Sequence, residues 1–102
     1  MQTYVIRRRS AFADLPDLQQ AAARSARVGN EDMPDRVRWI RSYVVAEPDG
    51  KIGTVCIYQG TDIASIREHA SRAAIAADEI VLVLDTVVVR EDPQVTEPAP
   101  AI

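Results

Sequence analysis

Glu79-Ile80-Val81-Leu82-Val83-Leu84-Asp85-Thr86-Val87-Val88-Val89 is the stretch that decides the fold. Val81, Val83, Val87 and Val89 alternate with Ile80, Leu82, Leu84 and Val88, so a strand over 79–89 is apolar on both of its faces. In an open sheet with helices on one side, one face packs under the helices and the other meets water. A chain of 102 residues has the size of one domain and no spare element to cover the second face. The simplest cover is another copy of the same sheet, which predicts a two-fold symmetric homodimer.

Upstream of that strand the chain alternates strand and helix signals. Residues 2–8, with Tyr4 and Ile6 against Val5 and Arg7, read as a first strand. Asp14-Leu15-Pro16-Asp17 supplies an N-cap, an early proline and an acid near the positive helix end, so a helix is expected over 15–29. Its apolar stripe is Leu15, Leu18, Ala22 and Ala26, and Gly29-Asn30 offers the stop. Residues 36–46 and 52–60 read as two strands joined by Pro48-Asp49-Gly50, a hairpin signal. Thr61 or Asp62 caps a second helix with Ile63, Ile66, Ala70 and Ala73 as its buried stripe, ending near Ala74. The order is therefore β-α-β-β-α-β, an α+β ferredoxin-like fold with a four-stranded antiparallel sheet, paired into a two-fold symmetric dimer. The domain is expected over 1–90, and three prolines and three acids in the thirteen residues from Arg90 mark 91–102 as a flexible tail.

Composition narrows the function classes. With 47% hydrophobic and 26% charged residues the chain matches an ordinary soluble globular protein. A net charge of -3 argues against a nucleic-acid surface. Arg7-Arg8-Arg9 is the only basic run, and as strand neighbours alternating between faces these read as a solvated strand end, with a phosphate or anion site as the alternative. No apolar run reaches the roughly 20 residues that span a bilayer, and the N-terminus lacks the pattern of a secretion signal, so a cytoplasmic location and no membrane partner are expected. The lone Cys56 has no internal disulfide partner, in keeping with a reducing compartment.

If Asp49 and Gly50 form a two-residue turn, Tyr43 lies across from Cys56 and Arg41 across from Tyr58; a slip of two residues brings Arg41 opposite Cys56. Either register puts Trp39, Arg41, Tyr43, Cys56 and Tyr58 on one face, a mixture of aromatic, guanidinium and thiol groups that suits a pocket lining or an aromatic dimer interface. His69, the single histidine, lies beside the buried stripe of the second helix. Cys56 and His69 suit nickel, copper or zinc if carboxylate, water or a second subunit completes the shell, since a closed structural site takes four ligands. A Cys56–His69 nucleophilic pair would need the thiol within about 3–4 Å of the ring. No phosphate loop, nucleophile elbow or spaced carboxylate pair is present, and no organic cofactor is expected.

The blocks Val37-Arg38-Trp39-Ile40-Arg41-Ser42-Tyr43-Val44, Val55-Cys56-Ile57-Tyr58 and Ile66-Arg67-Glu68-His69-Ala70, after Tyr4-Val5-Ile6 and Ala21-Ala22-Ala23-Arg24-Ser25, resemble the small nickel-binding ferredoxin-like proteins over roughly residues 3–90. The resemblance implies a dimeric α+β barrel and a metal held by a histidine in the Trp-x-x-Ser-Tyr-Val block, the strand-three cysteine and the helix-two histidine. Cys56 and His69 match two of these; Arg41 stands where the first histidine is expected, and a guanidinium is no metal ligand. The glycine-proline stretch expected after the helix-two histidine reads Ala73-Ala74-Ile75-Ala76-Ala77. Two readings of function follow. One is a protein binding nickel or a similar soft divalent ion through Cys56 and His69, with help from Glu68 or a second subunit. The other is a small-molecule-binding or cofactor-free enzyme domain whose pocket is lined by Trp39, Arg41, Tyr43 and Tyr58, with Arg41 holding an anionic or carbonyl group. A structural or regulatory interaction module is the third.

Overall fold

A computed structural model describes residues 1–93. The expected 91–102 tail therefore lies mostly outside the described residues. Strands β1 (Gln2–Phe12), β2 (Val37–Ala46), β3 (Ile52–Gly60) and β4 (Glu79–Leu82) form one antiparallel sheet in the order β2-β3-β1-β4, with helices α1 (Leu15–Arg27) and α2 (Ile63–Ala73) as the crossovers. This is the α+β ferredoxin-like arrangement.

Both helices start where the cap residues place them. The Asp14 carboxylate accepts from the Asp17 N–H at 2.9 Å, and the Asp17 carboxylate reaches back to the Ala13 N–H at 3.0 Å, a reciprocal pair that satisfies two free donors. At α2 the capping residue is Asp62, accepting from the Ser65 N–H at 2.8 Å; those bonds hold its carboxyl below the usual range. The α1 buried stripe is rotated from the expected one: Ala21 and Ser25 are buried, while Leu15 stays 55% exposed. Gly29 does not stop the helix. The backbone instead widens into a π-helical turn, Val28–Asp32, in which Gly29 sits against the imidazole of His69.

The sheet has a helix face and an open face. Tyr4, Ile6, Arg8, Cys56 and Tyr58 point under the helices and are buried; Val5, Arg7, Val55 and Ile57 point the other way and are half-buried. Ile6, Tyr58, Val28, Val37, Met33 and Ile66 form the centre of the core. At roughly 1.5–3 kcal/mol for each large apolar side chain removed from water, this layer supplies most of the folding drive. Gly60 lets α2 sit down on β3, because a Cβ there would lie 2.8 Å from Ile66 Cδ1.

Three strand features differ from the sequence expectation. Glu47 and Lys51 close the hairpin, with Glu47 N–H donating to the Lys51 carbonyl at 3.0 Å, so its loop is Pro48-Asp49-Gly50. Three loop residues, with Gly50 at φ 83°, shift the pairing by one relative to a two-residue turn: Tyr43 opposes Val55 and Ser42 opposes Cys56. A second irregularity between Trp39 and Arg41 leaves Ile40 as an extra residue and returns Trp39 to a position across from Tyr58. The group expected on one face is thereby split, with Trp39, Cys56 and Tyr58 on the helix face and Arg41 and Tyr43 on the open face. Third, β4 ends at Leu82 rather than continuing to Val89. After Val83 N–H donates to the Thr3 carbonyl at 2.8 Å, its partner β1 has run out of strand to offer, and Leu84, Val87, Val88 and Val89 lie 73–90% exposed.

Beyond Arg8, β1 bends: the register with β3 shifts before Phe12, and Ser10 adopts φ 49°. The Glu47 carboxylate braces this bend, accepting from Ser10 N–H at 2.7 Å and from the Arg7 guanidinium at 3.1 Å. Gly53 leaves room for that carboxylate; a Cβ there would collide with it and lie 2.8 Å from the Arg8 carbonyl oxygen.

Candidate functional site

Between the helix face and α1 lies a cavity of about 370 Å³. Its floor is sheet: Arg8 and Phe12 from β1, Thr54, Cys56 and Tyr58 from β3, and Trp39, Ser42 and Val44 from β2. Its roof is Leu18, Ala21, Ala22 and Ser25 of α1, with Ile75 at one end. The bulge at Ile40 brings that residue and Arg41 to the rim. Small residues in the second and third turns of α1 hold the space open, because the alanines reach less far toward the sheet than larger side chains would.

Trp39 and Tyr58 stack at 5.9 Å between ring centroids with 8° between planes, and the indole N–H donates to Ser42 Oγ at 2.8 Å. Tyr58 is 1% exposed. Its hydroxyl and Ser25 Oγ are 2.7 Å apart. Burial pushes the Tyr58 phenol up, against the opposing pull of the Ser25 bond and the Arg8 charge, so the hydroxyl keeps its proton at neutral pH. Cys56 lines the cavity, with its thiol 3.2 Å from Thr54 Oγ1.

His69 is buried behind Tyr58, ring centroids 5.1 Å apart, and does not line the cavity. Its Nε2 lies 3.0 Å from the Ser25 carbonyl oxygen, which only accepts, so Nε2 carries the proton and donates. Nδ1 is then a bare acceptor, buried without a partner. Burial holds the imidazole below its ordinary value, the Ser25 bond works against this, and the Arg8 charge adds to it; the ring is neutral.

Arg8 is the residue that the sequence reading missed. Instead of ending a strand in water it is 1% exposed, with Nη1 donating to the Ala76 carbonyl at 2.6 Å, Cζ 5.8 Å from the Tyr58 ring centroid, and Nη2 without a partner. The signal was present in the strand period: Arg8 continues the Tyr4, Ile6 face, two residues on each time. Arg41 and Tyr43, by contrast, turn to the open face, where both reach Asp92. Arg41 Nη1 lies 2.8 Å and the Tyr43 hydroxyl 2.7 Å from the same carboxylate oxygen. The Tyr43 bond, then the Arg41 charge, hold Asp92 below the ordinary carboxylate range, and the same bond raises the Tyr43 phenol.

Taken together, the site is an apolar chamber with one embedded cation and a chain of polar contacts, Tyr58–Ser25–His69, along its inner wall. Among the described residues no three histidine, cysteine or acidic side chains gather where they could hold a metal ion. Glu68, a further candidate donor, is engaged by Arg36 at 2.7 Å and by Arg72 at 2.7 Å. No helix of the described residues is long and apolar enough to cross a membrane.

No curated protein matches this chain. The crystal structure of SCO4226 from Streptomyces coelicolor A3(2) is similar, with a TM-score of 0.67 and 20% sequence identity over 83% of this chain and 99% of that one. At that identity the likeness speaks for the fold alone. Residues 4–83, which hold every strand and both helices apart from two residues of β1, match the family described as nickel responsive protein SCO4226-like. The chain belongs to the SCO4226-like, nickel-responsive family.

Proposed function

We propose that this member of the family binds a small organic molecule in the chamber between the sheet and α1. The observation that carries this reading is the cavity itself: about 370 Å³, walled mostly by apolar side chains and holding a few placed polar groups. That is the size and make-up of small-molecule sites, which run from about 300 to 1,000 Å³. In this reading Trp39, Tyr58 and the rim residue Arg41 meet the occupant, while Tyr43 acts from the opposite face by helping Asp92 hold the Arg41 guanidinium. The test is to narrow the chamber. Ala22→Phe should abolish saturable binding of small apolar probes, followed by nuclear magnetic resonance shifts at Trp39 and Ser25, while leaving the fold intact; unchanged binding would overturn the reading.

A second reading, binding of nickel or a similar soft divalent ion, is favoured by the family's description and by the bare, buried Nδ1 of His69. Cys56 and His69 are its ligands. Within one protomer the donor set does not fit: two donors fall short of a closed shell, and the fixed charge of Arg8 repels a divalent ion on the same face. The reading therefore requires further donors, and a second copy docked on the open face, across the sheet from Cys56 and His69, does not bring them. A homodimer is itself part of the proposal, supported by the open face of Val5, Val55, Ile57 and Val81. Titration with nickel, watching for thiolate-to-metal absorption that vanishes in Cys56→Ser, tests the metal. Sedimentation of Val81→Lys tests the dimer, which that charge should dissociate.

A further inference from the structure

We propose that the chamber selects a carboxylate carried on a compact apolar body, and that Arg8 is its anchor. This rests on the chamber being a ligand site. The guanidinium is always charged, and here it is almost wholly removed from water, a costly state unless an opposite charge accompanies it. None does. The ion pairs of the described residues join Arg7 to Glu47, Arg9 to Glu79, Arg36 and Arg72 to Glu68, and Arg41 to Asp92, and Arg8 takes part in none of them. Its Nη1 is spent on the Ala76 carbonyl, and its Nη2 has no acceptor.

Two hydroxyls of the chamber floor add to the donors: Thr54, directly across from Arg8, and Ser42, one strand further on. Ser42 Oγ accepts from the Trp39 indole, and Thr54 Oγ1 accepts from the Cys56 thiol, so each is left with its own O–H to give. Both line the chamber with Arg8. Two hydroxyls with open O–H bonds, and the guanidinium N–H once the side chains covering the buried Nη2 give way, are matched by an oxyanion that only accepts, and not by an amine or a second cation. The remaining wall, Phe12, Leu18, Ile40, Val44 and Ile75 among others, is hydrocarbon. It would strip a bare inorganic anion of water and return nothing, whereas the body of an aryl or short-chain alkyl acid fits it.

The test compares 3-phenylpropionate, 3-phenylpropanol and inorganic phosphate by titration calorimetry and by resonance shifts at Trp39 and Ser25. The acid should bind at least about tenfold more tightly than the alcohol, the ratio that a charge-assisted hydrogen bond supplies. Phosphate should not saturate the site. In Arg8→Met the acid's advantage should disappear while the alcohol still binds, and Arg8→Lys should restore part of it. Equal affinity of acid and alcohol for the unmodified protein would overturn the proposal and leave the chamber a neutral-ligand site. Binding of neither would overturn the chamber reading itself, and the proposal with it. The comparison of ligands on the unmodified protein decides the matter even if Arg8→Met fails to fold.

Discussion

The two faces of the sheet treat arginine in opposite ways. On the open face Arg7 and Arg41 are each matched to a carboxylate, the half-buried Arg7 to Glu47 and the exposed Arg41 to Asp92. On the helix face, where an unmatched charge is expensive, Arg8 has only a carbonyl oxygen and the face of Tyr58. The exposed Arg41–Asp92 pair stabilises little, whereas Arg7–Glu47 is largely out of water and fully matched. A solitary buried cation is costly to keep, and an anion in the proposed chamber site would offset that cost.

The contrast can be broken hardest at Tyr58, which joins the chamber floor, the Trp39 stack and the Ser25 hydroxyl. Tyr58→Ala should lower unfolding stability in urea by about 3–5 kcal/mol, the usual cost of emptying a large buried aromatic position. Tyr43→Ala on the open face should change it far less. Gly53→Ala comes next. Its new Cβ meets the Arg8 carbonyl and the Glu47 carboxylate, so a loss of about 1–3 kcal/mol is expected, together with resonance shifts around Ser10.

Acidification gives a smaller and more specific effect. The folded imidazole of His69 sits below its ordinary value of 6.5, so above that pH neither folded nor unfolded chain carries the proton, and stability is at its full value. As pH falls through 6.5 toward the lowered folded value, the unfolded chain takes up a proton that the buried ring refuses, and stability declines by at most about 1.4 kcal/mol per pH unit. The urea midpoint should therefore drop between pH 7 and pH 5.5, and His69→Gln should flatten that drop. The carboxyls held low by Asp62, Glu68 and Asp92 contacts lose their share only at more acid pH. Smallest of all, Asp92→Asn should leave the unfolding midpoint unresolved from that of the unmodified chain. It should still return the Tyr43 phenol toward its ordinary range, read by ultraviolet titration.

The element order was legible because local chemistry writes it: Asp14 and Asp62 cap helices by hydrogen bonds that any sequence context preserves, and Asp49-Gly50 marks a turn. The pairing register was not. Asp-Gly serves two- and three-residue loops alike, and the difference of one residue turns Arg41 and Tyr43 away from Cys56. The extra residue at Ile40 then returns Trp39 to the chamber, and no composition signal announces such a bulge. For the candidate site, Cys56 and Tyr58 could be placed together because β3 alternates cleanly. Arg8 was misread because three consecutive arginines look like a solvated end, although the strand period puts the middle one beneath a helix.

The early end of β4 carries a consequence for how the molecule keeps company with itself. From Leu84 to Val89 an exposed, mostly apolar run continues past the end of the strand, the kind of segment on which self-association starts. Asp85 is the one charge within it, and like a gatekeeper it sets a toll of electrostatic repulsion on stacking one ribbon against the next. Asp85→Val would leave the run from Leu84 to Val89 with no charge to oppose self-association.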